Sequence, residues 1–229
     1  MSHSIVTRLV LKDLYIMRKI IAVCMLVSLA SFGVVSVLWG RLPNWALINI
    51  AFTLLAAPAA TCGIVLLVKT NVLEKEKATQ SFIMSLPVTA RQFVLAKLLA
   101  NVPVFTVIWL AVTAVALFFS FGLELFPLGT LPMLLMIFLG VYVAYTCILS
   151  VSLITQSLGA TILSILGFEI ATVATLWTIG FQKPIAENVY GTHPVWNGMS
   201  VSVVAAQLAV IVLVLVGTWM VQSRKRDFV

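Results

Sequence analysis

The chain has few charged residues and few of the side chains that carry out chemistry. Of its 229 residues, only 9% are Asp, Glu, Lys or Arg, and it holds 2 His and 3 Cys. Soluble domains are typically about 45–50% apolar, whereas this chain is 62% apolar with a mean hydropathy of +1.16. Such a composition favours lipid rather than water as the solvent. We therefore expect an integral membrane protein.

The scarcity of histidine and aspartate argues against most catalytic and metal-dependent functions. His3 and His193 lie outside the apolar stretches, and Asp13 and Asp227 lie near the two ends of the sequence. Intramembrane proteolysis and haem or metal electron transfer need such residues inside the membrane. The phosphate-binding pattern GxxxxGK[ST] is also missing. We expect the chain to be no enzyme and to hold no catalytic residue, metal or cofactor of its own.

The three cysteines, Cys24, Cys62 and Cys147, all fall inside apolar stretches and show no CxxC spacing. That placement argues against zinc binding, redox work or a disulfide framework. We interpret them as small core residues.

Six apolar stretches are long enough to cross a bilayer. A spanning helix needs about 20 residues, because roughly 30 Å of hydrocarbon is crossed at about 1.5 Å per residue. Barrel strands would be shorter and would alternate polar with apolar residues, so long continuous runs predict an all-α fold. The stretches run approximately over Ile20–Trp39, Ala46–Val68, Lys97–Phe121, Leu131–Thr155, Ser157–Gly180 and Val201–Val221.

The first apolar stretch is interpreted as a retained span. Ser28 to Ala30 loosely resembles the small-residue site at which signal peptides are cleaved, so removal of the segment is an alternative. The apolar run continues past that point to Trp39, which favours a retained anchor.

Basic residues indicate the orientation. If the amino terminus is cytoplasmic, only Arg41 and Lys183 of the 14 Lys and Arg residues lie on the opposite side. This positive-inside asymmetry predicts that both termini and the connection between the second and third spans face the cytoplasm. The net charge of +7 is thus an orientation feature, and no soluble module offers a basic face for nucleic acid.

Residues 1–19 predict a basic amphipathic helix ahead of the first span. Apolar residues recur there at helical spacing with charged residues between them, as in helices that lie on the lipid surface of a membrane. A cytoplasmic extension of the first span is the alternative. The charged residues are Arg8, Lys12, Asp13, Arg18 and Lys19.

The cytoplasmic segment 69–91 carries more charge than any other part of the chain. Charged residues are followed by an apolar edge at helical spacing and then by proline, which predicts a short amphipathic helix. Thr89 and Gln92 fit a capping box for the third span. A solvated loop with ordinary orientation charges is the alternative. The residues in question are Glu74, Lys75, Glu76, Lys77, Phe82, Ile83, Leu86 and Pro87.

Two further features point to a pathway across the membrane. Glu169 lies near the middle of the fifth span, where it must face protein or a water-filled cavity, or be protonated. Thr172 lies one turn on and shares its face. We interpret them either as pathway or gate residues or as a structural hydrogen bond. The largest outer connection, 181–200, contains Trp196 with several prolines and glycines, which predicts broken or re-entrant structure.

Several short motifs together resemble permeases of the ABC transporter type 2 family. They are Leu11–Leu14 followed by Arg18 and Lys19, Glu74–Lys77 leading into Ser85–Thr89, and the tail Arg226–Phe228. The resemblance implies a bacterial inner-membrane exporter in which two permease copies pair with ATP-binding cassette ATPase subunits. ATP and magnesium would then be bound by the partner subunit. The segment 74–86 would be the coupling helix that docks on it, and 181–200 would resemble the outer gate.

On this resemblance we expect residues 1–229 to form a single transmembrane permease domain. An ATP-independent channel or secondary transporter is an alternative, and so is a non-transporting membrane scaffold. Secondary transporters often show internal repeats or several charged groups inside the membrane, and here we find no clear repeat and a single such charge. Nothing in the residues selects a cargo.

Overall fold

The computed structural model describes residues 2–73, 88–122, 124 and 126–224. Among these residues, five helices are long and apolar enough to cross a membrane. The helices are α1 (Ser2–Leu38), α2 (Asn44–Leu67), α3 (Ala90–Leu117), α4 (Leu131–Thr155), α5 (Leu158–Gly180), α6 (Lys183–Ala186) and α7 (Gly198–Ser223). Two π-helical turns extend α2 over Val68–Val72 and α3 over Phe118–Gly122, and a 3-10 turn, Leu128–Thr130, precedes α4.

Helix α1 is continuous from Ser2 to Leu38, so the helix predicted over residues 1–19 and the first predicted span form one element. No proline or glycine occurs before Gly33, so nothing in the sequence interrupts the backbone hydrogen bonds. At 37 residues the helix is about 55 Å long, well beyond the roughly 30 Å of a hydrocarbon core. The basic segment therefore continues into the first span without a break, and its placement on the membrane surface stays a prediction.

The second predicted span lies in α2, a 24-residue helix that continues through Pro58. Its apolar part Ala60–Val72 runs on into the π-helical turn. Pro103 is likewise inside α3. Each proline removes one backbone hydrogen bond from its helix, and both helices continue past it.

The connections around α3, α4 and α5 follow the local sequence closely. The capping box predicted for the third span is confirmed: Thr89 Oγ1 accepts from Gln92 N at 3.3 Å, and Gln92 Oε1 accepts from Thr89 N at 3.1 Å. Between α4 and α5, Gln156 adopts a left-handed conformation with φ 48°. Ser157 then caps α5 by accepting from Ala160 N. The connection between α4 and α5 is therefore a tight turn.

The six longer helices that the structure describes pack as two groups of three. Helix α1 packs against α2 and α3, and α4 packs against α5 and α7. Contacts of α2 with α4 and of α3 with α7 join the two groups. Helix α4 is the most enclosed, whereas α5 exposes a broad apolar face that includes Leu163, Ile170 and Trp177.

A stack of aromatic rings joins α2, α3 and α4. The rings of Phe105 and Tyr145 are parallel with centroids 3.6 Å apart, and Tyr142 lies 5.4 Å from Phe105 at a tilted angle. A Cβ on Gly63 of α2 would lie 2.6 Å from the Phe105 ring and 2.7 Å from the Tyr145 ring. Glycine is therefore what lets α2 approach the stacked rings.

Cys24 of α1 and Cys62 of α2 form a disulfide, with their Cα atoms 5.8 Å apart. This finding corrects the interpretation of these cysteines as unlinked core residues. The two residues are separated by 38 positions in the sequence, so only the antiparallel packing of α1 on α2 brings them together. Cys147 of α4 is free.

At the end of the bundle where α4 begins, the turn before α4 packs on the loop that follows α6. Gly129 N donates to Gly191 O at 2.9 Å. A Cβ on Gly129 would clash with the backbone oxygen of Asn188, so a glycine is required at this close approach. The predicted outer segment 181–200 thus contains a one-turn helix, α6, and hydrogen-bonded turns, whereas its re-entrant placement stays a prediction.

We predict that Gly63→Ala lowers the apparent melting temperature of the purified protein in detergent. The added methyl group would overlap two stacked rings that are buried and have no free space to move into, an overpacking that typically costs about 1–3 kcal/mol. For a protein of this size, that corresponds to a fall of roughly 2–12 °C. Gly33→Ala is the matched control, because a Cβ there meets nothing within 4 Å. Equal melting temperatures for the two variants would contradict the packing described.

Candidate functional site

The π-helical turn Val68–Val72 lies at the carboxyl end of α2, just before residue 73, the last described residue ahead of segment 74–87. Its central residues are buried, with Thr70 1% exposed and Asn71 7% exposed. A π-helical turn widens the helix and occurs frequently at functional sites. Because the turn carries two polar side chains into a buried position, it must find hydrogen-bond partners on the neighbouring helices.

Helix α3 supplies one partner of the Thr70 hydroxyl, and α2 itself supplies the other. The hydroxyl Oγ1 lies 3.0 Å from Asn101 Oδ1 and 3.0 Å from the carbonyl oxygen of Leu66, so its one proton can be donated to either. Asn101 is fully buried, and its Nδ2 donates to the carbonyl oxygen of Lys97 at 3.0 Å. The backbone oxygen of Asn101 in turn accepts from Tyr145 Oη of α4 at 3.2 Å. These bonds join the turn to α3 and α4.

Helix α4 also holds the turn directly. Asn71 Nδ2 donates to Ser152 Oγ at 3.1 Å, and Ser152 is fully buried. Farther along α4, the carbonyl oxygen of Leu153 accepts from Gln222 Nε2 of α7. The same end of the bundle is therefore fixed across α2, α4 and α7.

A buried ion pair connects the turn to α1. Lys97 Nζ lies 3.0 Å from Asp13 Oδ2 and donates to the carbonyl oxygen of Thr70 at 2.6 Å. The Lys97 and Asp13 side chains are only 3% and 1% exposed. Lys97 therefore bridges a carboxylate on α1 and the backbone of the π-helical turn. We call Asp13, Lys97, Thr70, Asn71, Asn101 and Ser152 the exit cluster.

The electrostatics of the exit cluster hold its parts together. A buried charge that loses its partner destabilises a protein by about 3–5 kcal/mol, since the remaining charge has been removed from water without compensation. Lys12 Nζ lies 3.1 Å from the other carboxylate oxygen, Asp13 Oδ1, but that oxygen accepts no hydrogen bond from a described residue. Asp13 thus lies between two ammonium groups, of which Lys97 is the buried one.

The residues at the start of α3 pack against α1, the helix that carries Asp13. Val88 is buried together with Leu9 of α1 and with Phe93 and Val94 of α3. Leu9, Asp13 and Met17 are all buried, and their spacing of four residues places them on one face of α1. The described residues that flank segment 74–87 are consequently held by the exit cluster on one side and by this apolar contact and the capping box on the other.

The predicted coupling residues are Glu74, Lys75, Glu76, Lys77, Phe82, Ile83, Leu86 and Pro87, and all of them lie outside the described residues. Of the charged residues assigned to the interfacial segment, Arg8, Arg18 and Lys19 are exposed and Lys12 is half-buried. Asp13 is the exception, because it belongs to the buried exit cluster and not to a polar surface.

The predicted pathway residues, Glu169, Thr172 and Trp196, lie on other elements than the exit cluster does, namely α5 and the loop between α6 and α7. Glu169 and Thr172 are half-buried on α5, and no described residue forms a hydrogen bond with the Glu169 carboxyl. Thr172 packs toward Gly140 of α4, where a Cβ would lie 3.2 Å from Thr172 Cγ2. Trp196 is 44% exposed in the loop between α6 and α7. Among the described residues, no group of three His, Cys, Asp or Glu side chains could hold a metal ion.

The sequence carries a signal for the exit cluster, namely charged residues within apolar helix faces. Asp13 lies four residues from Leu9 and from Met17, within an otherwise apolar stripe, and Lys97 lies within the apolar run of the third span. A charged residue on the apolar face of a helix indicates a buried partner. Neither helix alone shows which residue is the partner, because the pairing of Asp13 with Lys97 depends on how α1 packs against α3.

A family model described as ABC-2 family transporter protein matches residues 8–225 of the chain. The comparisons with curated proteins and with solved structures give no match.

We predict that Ser152→Ala loosens the π-helical turn. The substitution removes the acceptor of the Asn71 amide and leaves a buried donor unpaired, which costs about 1–3 kcal/mol. Amide hydrogen exchange of residues 68–73, followed by mass spectrometry, should accelerate by roughly 5- to 100-fold. Ser36→Ala is the control, because Ser36 is exposed and its hydroxyl donates only within its own helix, to Phe32 O. Unchanged exchange in the Ser152 variant would show that the turn does not depend on this bond.

Proposed function

Because the chain belongs to the ABC-2 transporter family, we propose that it is the permease subunit of an ATP-binding cassette exporter in the bacterial inner membrane. In this proposal it forms the translocation path as one of two permease copies, and separate ATPase subunits bind ATP and magnesium and supply the energy. The observation that carries the proposal is the match over residues 8–225 in a chain that has no GxxxxGK[ST] motif. In this proposal, ATP is bound and hydrolysed by a partner subunit.

We propose six spans with both termini and segment 74–87 in the cytoplasm. Support for a sixth span comes from α2, whose 24 residues extend over about 36 Å and so exceed the roughly 30 Å of hydrocarbon. The positive-inside asymmetry supports the orientation. With six spans, the exit cluster and the amino-terminal extension of α1 face the cytoplasm.

Segment 74–87 is the proposed coupling helix, docked on the ATPase subunit. Its sequence offers charged residues for specificity and an apolar edge, Phe82, Ile83 and Leu86, for contact area. Support from the structure lies in its two ends, which leave from the exit cluster and return at Val88. A shift of the segment would therefore act on α2 and α3 together. ATP-driven closure of the partner can bias the bundle only through such a difference in contacts between its two states.

The proposed pathway or gate residues are Glu169, Thr172 and Trp196. Glu169 is half-buried on a helix whose outer face is apolar, and a carboxylate at this depth needs water or a protein partner. Either a water-filled path or the second permease copy would provide it. Gly140 supports this arrangement, because it lets α5 approach α4 closely beside Thr172.

We predict that Phe82→Asp with Ile83→Asp abolishes co-purification with the ATPase subunit. Two buried apolar contacts would be replaced by charges without partners, a loss of several kcal/mol in a docking interface. The retained fraction of ATPase subunit should fall at least about tenfold. Gln156→Asp is the control, since it adds a charge in the turn between α4 and α5. Undiminished association of the double variant would remove segment 74–87 from the interface.

We also predict that a cysteine at position 169 is accessible from water. Only the thiolate reacts with methanethiosulfonate reagents, and a thiolate forms in a wet environment rather than in lipid. Glu169→Cys should be labelled by a membrane-impermeant reagent at least about tenfold faster than Ile170→Cys, which is 67% exposed on the apolar face of α5. Labelling of the unsubstituted protein corrects for Cys147. Equally slow labelling of both variants would assign Glu169 a structural role.

A further inference from the structure

We propose that the Asp13–Lys97 ion pair is the link through which movement of the coupling segment reaches the amino-terminal half of α1. This inference rests on the proposed function, since it assumes that segment 74–87 moves when the partner hydrolyses ATP. Asp13 and Lys97 are positioning residues in this proposal, because they contact neither cargo nor nucleotide.

The hydrogen bond of Lys97 depends on the conformation of the π-helical turn. Lys97 Nζ donates to the carbonyl oxygen of Thr70 at 2.6 Å, and Thr70 lies four positions before residue 74 in the sequence. A π-helical turn holds one more residue than the corresponding α-helical turn, so conversion between the two rotates whatever follows. The Thr70 carbonyl would turn away from Lys97 in that conversion. The coupling segment and the lysine are thus connected through a single backbone group.

Asp13 passes the change on to α1. The Asp13 carboxylate accepts the same ammonium at 3.0 Å, and the flanking Leu9 and Met17 are buried on the same face. Beside the ion pair, Leu9 of α1 packs in an apolar cluster with Phe93 and Val94 of α3, and apolar contacts permit sliding more readily than directed bonds do. The ion pair therefore sets the register of α1 on α3.

Lys12 makes the link reversible. Its Nζ lies 3.1 Å from Asp13 Oδ1, and this oxygen has unused acceptor capacity among the described residues. When Lys97 follows the Thr70 carbonyl, Lys12 can keep the buried carboxylate neutralised. An uncompensated buried charge would otherwise block the movement. A carboxylate between two cations, one on its own helix and one on α3, can thus exchange partners.

The test uses the full complex with its ATPase subunit in lipid nanodiscs, followed by amide hydrogen exchange with and without ATP plus vanadate. In the unsubstituted protein, nucleotide should change exchange in 68–87 and in 5–19, each by roughly fivefold. In the double variant Asp13→Leu with Lys97→Met, which leaves no unpaired buried charge, the change should persist in 68–87 and disappear from 5–19. Arg8→Met, an exposed cation on the same helix, should behave like the unsubstituted protein.

The outcomes separate the inference from the proposed function. A nucleotide response that still reaches 5–19 in the double variant would overturn the ion-pair link while leaving the coupling role of 74–87 intact. No response in 68–87 of the unsubstituted complex would overturn the proposed function and the link together. Should the double variant fail to assemble, the single variant Asp13→Asn replaces it, because it keeps the Lys97 donor to the Thr70 carbonyl and removes only the charge that attracts Lys97 to α1. In this variant the response should persist in 68–87 and be lost from 5–19, and a response in 5–19 equal to that of the unsubstituted protein would count against the link.

Discussion

The arrangement of this bundle depends on one buried ion pair and the carbonyl group that it holds. Asp13 and Lys97 lie 3.0 Å apart and almost fully out of solvent, where separating the two charges costs several kcal/mol. Because Lys97 also binds the Thr70 carbonyl at 2.6 Å, the pair fixes α1, the end of α2 and the start of α3 relative to one another. Most other contacts in the bundle are apolar and specify the position of the helices less sharply.

This constraint divides the bundle into two differently held ends. The end with the exit cluster is joined by directed hydrogen bonds between helices, including Asn71 to Ser152 and Thr70 to Asn101. In the middle, stacked rings packed on Gly63 form a rigid block. At the far end, backbone contacts between Gly129 and Gly191 hold the turn before α4 to the loop after α6. A displacement applied at segment 74–87 would therefore be carried as a movement of whole helices.

Much of the fold could be predicted because local signals determine it. The span Leu131–Thr155 has the bounds expected, and the capping box of Thr89 and Gln92 forms as the sequence pattern indicates. What could not be predicted depends on contacts between distant residues. Asp13 belongs to a basic segment by composition, yet its side chain is buried by a lysine 84 positions away. Cys24 and Cys62 meet only because α1 and α2 pack antiparallel, and the continuity of α1 reflects the absence of any residue that would end the helix.

The central claim is that an ATPase subunit acts on this chain through segment 74–87. It is tested most directly by crosslinking lysine amines in the assembled complex and identifying the linked peptides by mass spectrometry. We expect Lys75 and Lys77 to be linked to the ATPase subunit, and we expect Lys183, in the proposed outer segment 181–200, not to be linked. An intact complex in which Lys183 is linked to the ATPase subunit and neither Lys75 nor Lys77 is linked would contradict it.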